Sequence, residues 1–136
     1  MGVVVDIRDP AKFIAGRWAW DALGYSDDFP GAISFSDIDA VVERNGKFLF
    51  LEMKEYVPGK IPGDIPTGQR ILLERLAKID QMEVYLIVGT AATGEAFWVK
   101  DMKRGTIADL RNGYSDMERR EYLHRLFQLW NEMVTQ

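Results

Sequence analysis

The sequence contains no cysteine and only one histidine, His124. The lack of cysteine excludes disulfides, cysteine-based zinc sites, iron–sulfur clusters and thiol catalysis. His124 has no second histidine with which to share a metal, so we expect a surface or packing role for it. No apolar run is long enough to span a membrane. We therefore expect a cytoplasmic protein that makes no membrane contact.

Positive charge is also scarce. The 136 residues include 17 Lys and Arg against 21 Asp and Glu, a net charge of -4. This balance argues against a general nucleic-acid coat protein held by whole-molecule electrostatics, so any nucleic-acid contact must come from a local patch. A hydrophobic fraction of 47% suits a core large enough to fold alone. We expect one domain over residues 1–136.

The order of the predicted elements indicates an α/β fold, with a mixed sheet flanked by helices. The loop over residues 55–66 holds three prolines and two glycines, so it cannot continue a strand or a helix. The first predicted elements are a helix from the Asp9-Pro10 cap to about Leu23 and three strands between Ala32 and Lys54. They are followed by a helix from Thr67 as N-cap to about Gln81, strands at VYLIVGT and AFWVK, and a C-terminal helix that begins with a Ser115 and Glu118 capping box.

The Asn-Gly dipeptide at 45–46 is the strongest short-range signal for a hairpin. If it forms a two-residue turn, every cross-strand pair has residue numbers that sum to 91. Asp39 then lies opposite Glu52, and Asp37 lies opposite Lys54. The period of two along each strand places all four side chains on one face.

Two like charges directly opposite each other are destabilising unless something compensates them. A divalent cation is the natural compensator, because Mg²⁺ takes oxygen ligands from one or two carboxylates, with water and substrate phosphate completing its shell. Lys54 can contact the same phosphate or the attacking water. The alternative is a solvent-facing hairpin in which Asp37 and Lys54 form an ordinary ion pair and water screens Asp39 from Glu52.

The string DIDAVVERNGKFLFLEMK, with its Asp, strand, turn and Glu-x-Lys, resembles the PD-(D/E)XK nuclease superfamily. It looks especially like the small Holliday-junction-resolvase-like endonucleases, over about residues 10–90. The resemblance implies a restriction-endonuclease-like core of a helix, three strands, a helix and two strands, here with an added C-terminal helix. It also implies Mg²⁺ or Mn²⁺ as cofactor, with Asp39, Glu52 and the Met53 carbonyl as ligands and Lys54 as the catalytic lysine.

Further site residues follow from the same resemblance. Some members place a glutamine in the helix after the Glu-x-Lys strand, and Gln69 could face the sheet there to orient water or substrate; its alternative role is that of a polar helix-start residue. Many members carry a glutamate in the first helix, and the nearest acidic residue here is Asp21. Lys60 and Arg70 are candidate DNA contacts because they flank the Pro-Gly loop near the site.

The sequence thus predicts a metal-dependent endonuclease that hydrolyses DNA. Structured or branched DNA, in recombination, repair or phage DNA processing, is the substrate class that the resemblance implies. Because so small a nuclease has limited surface for a two-strand substrate, we expect a homodimer, formed through the apolar stripe of the C-terminal helix. Two alternatives stay open: a nuclease-fold module that binds DNA or protein with weak catalysis, and a purely structural small protein.

Overall fold

The computed structural model of the protein describes residues 25–28, 31 and 38–136. Residues 38–136 belong to one compact unit, and residues 4–37 to another. The described part of the second unit is a short 3-10 helix, Tyr25–Asp28, together with Gly31. The first predicted helix and first predicted strand lie outside the described residues, as do Asp21 and Asp37.

Five strands and two helices make up the described part of the larger unit. They are β1 (Ala40–Arg44), β2 (Lys47–Glu55), α1 (Thr67–Ala77), β3 (Met82–Thr90), β4 (Glu95–Asp101), β5 (Ile107–Asp109) and α2 (Asp116–Val134). The strands lie side by side in chain order. The pair β2 and β3 is parallel, since α1 crosses between them, and the other three pairs are antiparallel. The fold is therefore α/β, with a mixed sheet flanked by two helices.

The register of the β1–β2 hairpin is the one that the turn predicts. Asn45 and Gly46 both have positive φ, 53° and 77°, as the two central residues of a type I′ turn require. The paired residues run from Arg44 with Lys47 to Ala40 with Leu51, and every pair sums to 91. The described ladder starts at Ala40, so Asp39 lies one residue before it, at the position that the same register would place opposite Glu52.

The two faces of the sheet bury different helices. Leu49 and Leu51 of β2 point to the face covered by α2, where they share a cluster with Leu123 and Trp130. Phe50 points to the other face, in the cluster that α1 completes. Because alternate residues of a strand share a face, Glu52 also lies on the α1 face. Strand β2 is covered on both sides, which explains why it reads as a nearly continuous apolar run.

The structure differs from the predicted elements at three places. Pro66, with no side-chain hydrogen bond, takes the N-cap position of α1, and Thr67 is the first helical residue. The helix ends at Ala77 instead of near Gln81, because the chain leaves it through tight turns that bring the Gln81 carbonyl to the Phe48 N–H at 2.8 Å. Strand β5 was not predicted, since three residues at a sheet edge carry no usable periodicity.

The C-terminal helix begins as predicted. The Glu118 N–H donates to Ser115 Oγ at 3.1 Å, and the Ser115 N–H donates to Glu118 Oε1 at 3.0 Å. These two bonds satisfy backbone donors that a helix start otherwise leaves unpaired. Among the described residues, no helix is long and apolar enough to cross a membrane.

Candidate active site

The candidate site lies where β2 ends, beside the first turn of α1. The structure brings together Asp39, which precedes β1, Glu52 and Lys54 from β2, and Gln69 from α1. The parallel arrangement of β2 and β3 requires a crossover, and this crossover starts with the Pro-Gly loop and returns as α1. The site is thus at the carboxyl end of the parallel pair, the usual position for ligands in open α/β sheets.

Asp39 closes the open end of the hairpin with its side chain. Its Oδ2 accepts a hydrogen bond from the Met53 N–H at 2.8 Å, in the place where a backbone carbonyl of a longer β1 would lie. In a strand, the N–H and C=O of one residue point to the same edge. The Met53 carbonyl therefore faces the edge where Asp39 lies, while the Met53 side chain is 42% exposed.

Glu52 is a buried carboxylate, with only 6% of its surface exposed. Its Oε1 accepts a hydrogen bond from Gln69 Nε2 at 2.5 Å and lies 3.3 Å from Lys54 Nζ. A buried charge without partners would cost several kcal/mol, so these two contacts are what allow the ionised form here. Gln69 faces the sheet, and this contact determines which way the Glu52 carboxylate points.

The electrostatics of Glu52 indicate incomplete compensation. Burial raises its pKa above the ordinary value, and the negative charge of Asp39 raises the pKa further. The hydrogen bond and the positive charge of Lys54 oppose this shift without cancelling it. A carboxylate whose ionised form is still disfavoured after pairing with a lysine gains from a further cation.

The donor set fits a hard divalent cation. Two carboxylates and a backbone carbonyl are oxygen ligands, and Mg²⁺ characteristically uses one or two carboxylates and completes its shell with water and phosphate. Over residues 25–28, 31 and 38–136, no group of three or more Asp, Glu, His or Cys side chains could hold a metal. The oxygen donors that this site could offer an ion are Asp39, Glu52 and the Met53 carbonyl.

The remaining predicted site residues lie around this cluster. Lys60, in the Pro-Gly loop, is exposed and lines a cavity of about 220 Å³ together with Lys54. Arg70 follows Gln69 in α1, is exposed, and pairs with Glu74 at 3.3 Å. Both cations are exposed, and Lys60 shares its cavity with Lys54.

The sequence reasoning missed two apolar residues of the same cavity, Val57 and Ile61, which are 50% and 76% exposed. Their signal in the sequence was their position before each Pro-Gly dipeptide of the loop. No protein-family profile, curated protein or solved structure matches the chain.

Proposed function

We propose that the protein is a metal-dependent endonuclease that hydrolyses DNA phosphodiester bonds. The observation that carries this proposal is the cluster at the end of β2: a buried carboxylate, Glu52, held between Gln69 and Lys54 and destabilised by the nearby charge of Asp39. In this cluster two carboxylates lie beside one lysine, and the pKa of Glu52 is still raised. Such an arrangement is typical of sites that bind an ion or a substrate.

The roles of the residues follow from their positions. Asp39, Glu52 and the Met53 carbonyl would hold Mg²⁺ or Mn²⁺, which when bound supplies an activated water and offsets charge on the phosphate. Lys54, whose side chain is 39% exposed, donates a hydrogen bond to a phosphate oxygen. Gln69 keeps the Glu52 carboxylate in one orientation through its Nε2–H to Oε1 bond.

The proposal includes a restriction-endonuclease-like core. The described part supports it with three features: an antiparallel hairpin that carries the acidic residues, a parallel neighbour to its second strand, and a crossover helix between the two. Lys60 and Arg70 would bind the DNA backbone beside the site. With a net charge of -4, the chain depends on such local cations for DNA binding.

Cleavage assays test the proposal directly. Plasmid, single-stranded DNA and four-way junctions are incubated with the protein in Mg²⁺ or Mn²⁺, and the products are separated on gels. We expect cutting by the wild type and none by Asp39→Asn or Glu52→Gln. Glu132→Gln, which removes an exposed carboxylate from α2, is the matched control and should cut normally. Wild-type protein that cuts none of these substrates would refute the proposal.

One observation favours a second candidate, a nuclease-fold module that binds DNA or protein without cutting. Both described partners of Glu52, Lys54 and Gln69, contact the same oxygen, so the protein itself partly satisfies this carboxylate. Calorimetric titration with Mg²⁺ separates the two candidates. The binding module predicts no heat of Mg²⁺ binding and DNA binding that survives Lys54→Ala, whereas the nuclease predicts Mg²⁺ binding that Glu52→Gln abolishes.

The proposed assembly is a homodimer formed through α2. The apolar side chains of Met117, Leu129 and Met133 on this helix are 66%, 48% and 48% exposed. Association would remove this apolar surface from water. Light scattering should give twice the mass of the chain, and Leu129→Glu should halve it. A monomer at high concentration would reject the dimer and leave the proposed activity unaffected.

A further inference from the structure

We propose that the loop between β2 and α1 is a wedge whose Val57 and Ile61 side chains insert between DNA bases next to the phosphate that is cut. This inference rests on the proposed function and deepens it. It identifies the preferred substrate as DNA in which base stacking is already weakened near the cleavage site. Four observations carry it: the loop's shape, its anchoring, the exposure of the two side chains and their position beside Lys54.

The loop consists of two consecutive turns of the same type. Val57-Pro58-Gly59-Lys60 is closed by a Lys60 N–H to Val57 O bond of 3.1 Å, and Ile61-Pro62-Gly63-Asp64 by an Asp64 N–H to Ile61 O bond of 3.4 Å. Proline is second and glycine third in each turn, with glycine φ of +86° and +81°, as type II turns require. Val57 and Ile61 therefore hold equivalent positions, at the start of each turn.

The loop is fixed to the core at both ends. At its start, the Tyr56 ring stacks on Phe97 with 4.3 Å between centroids, and the Tyr56 N–H donates to the Gly89 carbonyl at 2.7 Å. Near its end, Gly63 lies so close to the buried Trp98 that a Cβ there would be 2.5 Å from the indole ring. Prolines and these contacts limit the freedom of the loop, so its exposed side chains are pre-organised.

The two apolar side chains point into solvent in the described part of the chain. Ile61 is 76% exposed and Val57 50% exposed, in a loop that contacts the core at Tyr56 and Gly63. Apolar side chains that a rigid loop holds away from its own core are typical of a contact surface. Branched aliphatic residues are among those that proteins insert between base steps.

Their surroundings favour DNA as the partner. One cavity of about 220 Å³ is lined by both apolar residues, by Lys54 and Lys60, and also by Glu55 and Asp64. Lys54 is the proposed catalytic lysine, and Lys60 lies between Val57 and Ile61 in the chain. Cations on both sides of an apolar side chain would hold the backbone phosphates while the side chain unstacks the bases between them.

The wedge gives a physical reason for a preference among DNA substrates. Unstacking a regular duplex costs a few kcal/mol per step, and the cost is lower at a mismatch or a branch point, where stacking is already weak. The double variant Val57→Ser, Ile61→Ser should therefore cut a fully paired duplex about tenfold more slowly, and the same duplex with a mismatch at the cleavage site no more than about threefold more slowly. Ile107→Ser is the matched control, since Ile107 is a 54% exposed isoleucine on β5.

A second readout does not depend on cutting. In the Glu52→Gln background, fluorescence of 2-aminopurine placed in a duplex should rise on protein binding, because the probe brightens when it is unstacked. The added substitutions Val57→Ser and Ile61→Ser should remove most of that rise, and Ile107→Ser should leave it. If the wild type cuts nothing but the fluorescence rise depends on Ile61, the proposed function fails and the wedge stands.

Three results would overturn the wedge. The first is a double variant that cuts paired and mismatched duplexes at wild-type rates, or that loses both equally. The second is a fluorescence rise that survives both substitutions, or one that is absent when Glu52→Gln is the only substitution. The third is light scattering in which the double variant loses an oligomer that Ile107→Ser retains, which would make the loop a protein contact. Because both residues are exposed, the variants should keep the thermal unfolding temperature of the wild type. This control would show that they still fold.

Discussion

Two pairs of carboxylates at the sheet can be compared within the described residues, and their contacts with cations differ. Glu83, second in β3, and Asp101, last in β4, share one arginine: Arg104 reaches both Glu83 oxygens at 2.7 and 3.0 Å and Asp101 Oδ2 at 2.8 Å. In the pair of Asp39 and Glu52, Lys54 contacts Glu52 at 3.3 Å, and Asp39 accepts from the Met53 N–H. The first pair has a bidentate cation and the second does not.

The electrostatic consequences differ in the same way. In the arginine-bound pair, the hydrogen bonds to Glu83 and Asp101 raise the pKa of Arg104 above its already high value, so the cation stays charged. Burial, and then the negative charges of Asp101 and Glu83, raise the pKa of Tyr85 to about 12. In the lysine-bound pair, it is the pKa of the Glu52 carboxyl that rises. A pair held by a bidentate arginine is a structural feature, whereas a pair in which the pKa of one carboxyl stays raised is a candidate ion site.

The largest expected effect that separates the two pairs is on cleavage. Glu52→Gln should lower the rate of DNA cutting by at least about 100-fold, because it removes a charged ligand from the site. Glu83→Gln removes an equally buried carboxylate from the other pair and should leave the rate per folded molecule within about threefold of wild type. Rates are measured on the best DNA substrate below both unfolding temperatures. Equal losses of cleavage rate in the two variants would show that the two carboxylate pairs do not differ in function.

For stability the Arg104 pair should matter more, so that loss of Arg104 costs more free energy of unfolding than loss of Lys54. Arg104→Met leaves two little-exposed carboxylates close together without their cation, and should lower the free energy of unfolding by about 2 kcal/mol. The loss is smaller than for a fully buried pair, because the Arg104 side chain is half exposed. Lys54→Met should cost no more than about 1 kcal/mol, since Gln69 still donates to Glu52. Urea unfolding at neutral pH measures both. A larger loss for Lys54→Met would mean that the lysine pair is the structural one.

The sequence predicted the hairpin register well because local chemistry determines it. Asn45-Gly46 is compatible with a type I′ turn, and a two-residue turn leaves one register for the strands that follow. The Ser115 and Glu118 cap is equally local. Strand β5 could not be predicted, because a three-residue edge strand is held by its pairing with β4 and not by its own pattern.

The candidate site was predictable in part. The spacing along β2 gave Glu52 and Lys54 on one face, and the turn gave the neighbourhood of Asp39. The contact from Gln69 depends on how α1 packs on the sheet, and so does the burial of Glu52. The Arg104 network was not foreseen, because its three residues come together only through the pairing of β3 with β4. Long-range packing leaves no short-range sequence signal.

Mg²⁺ binding should distinguish the pairs by a smaller stability effect. A ligand that binds the folded state at ten times its Kd stabilises it by about 1.4 kcal/mol. Mg²⁺ or Mn²⁺ should therefore raise the thermal unfolding temperature of the wild type and of Glu83→Gln, but not that of Glu52→Gln. Differential scanning fluorimetry over a range of Mg²⁺ concentrations gives the comparison. A rise that persists in a variant with both Asp39→Asn and Glu52→Gln would place the ion elsewhere.

The smallest expected effect is the pH dependence of stability in metal-free buffer. Because the folded-state pKa of Glu52 lies above its ordinary value of 4.5, the folded protein holds this proton more tightly than the unfolded chain. The stability contributed by Glu52 is therefore present below about pH 4.5 and is lost as the pH rises through the raised pKa. The amide of Glu52→Gln does not titrate, so the stability of this variant relative to the wild type should rise as the pH increases across that window.

The gain of Glu52→Gln should reach about 3 °C or less in unfolding temperature and disappear in acid, where both proteins carry a neutral side chain. Glu132→Gln, which removes an exposed carboxylate, should show no such pH-dependent gain. Saturating Mg²⁺ should reverse the order at neutral pH, because the ion stabilises the ionised carboxylates only in the wild type. A difference that is constant with pH would show that Lys54 already neutralises Glu52, and the contrast with the Arg104 pair would then be one of geometry alone.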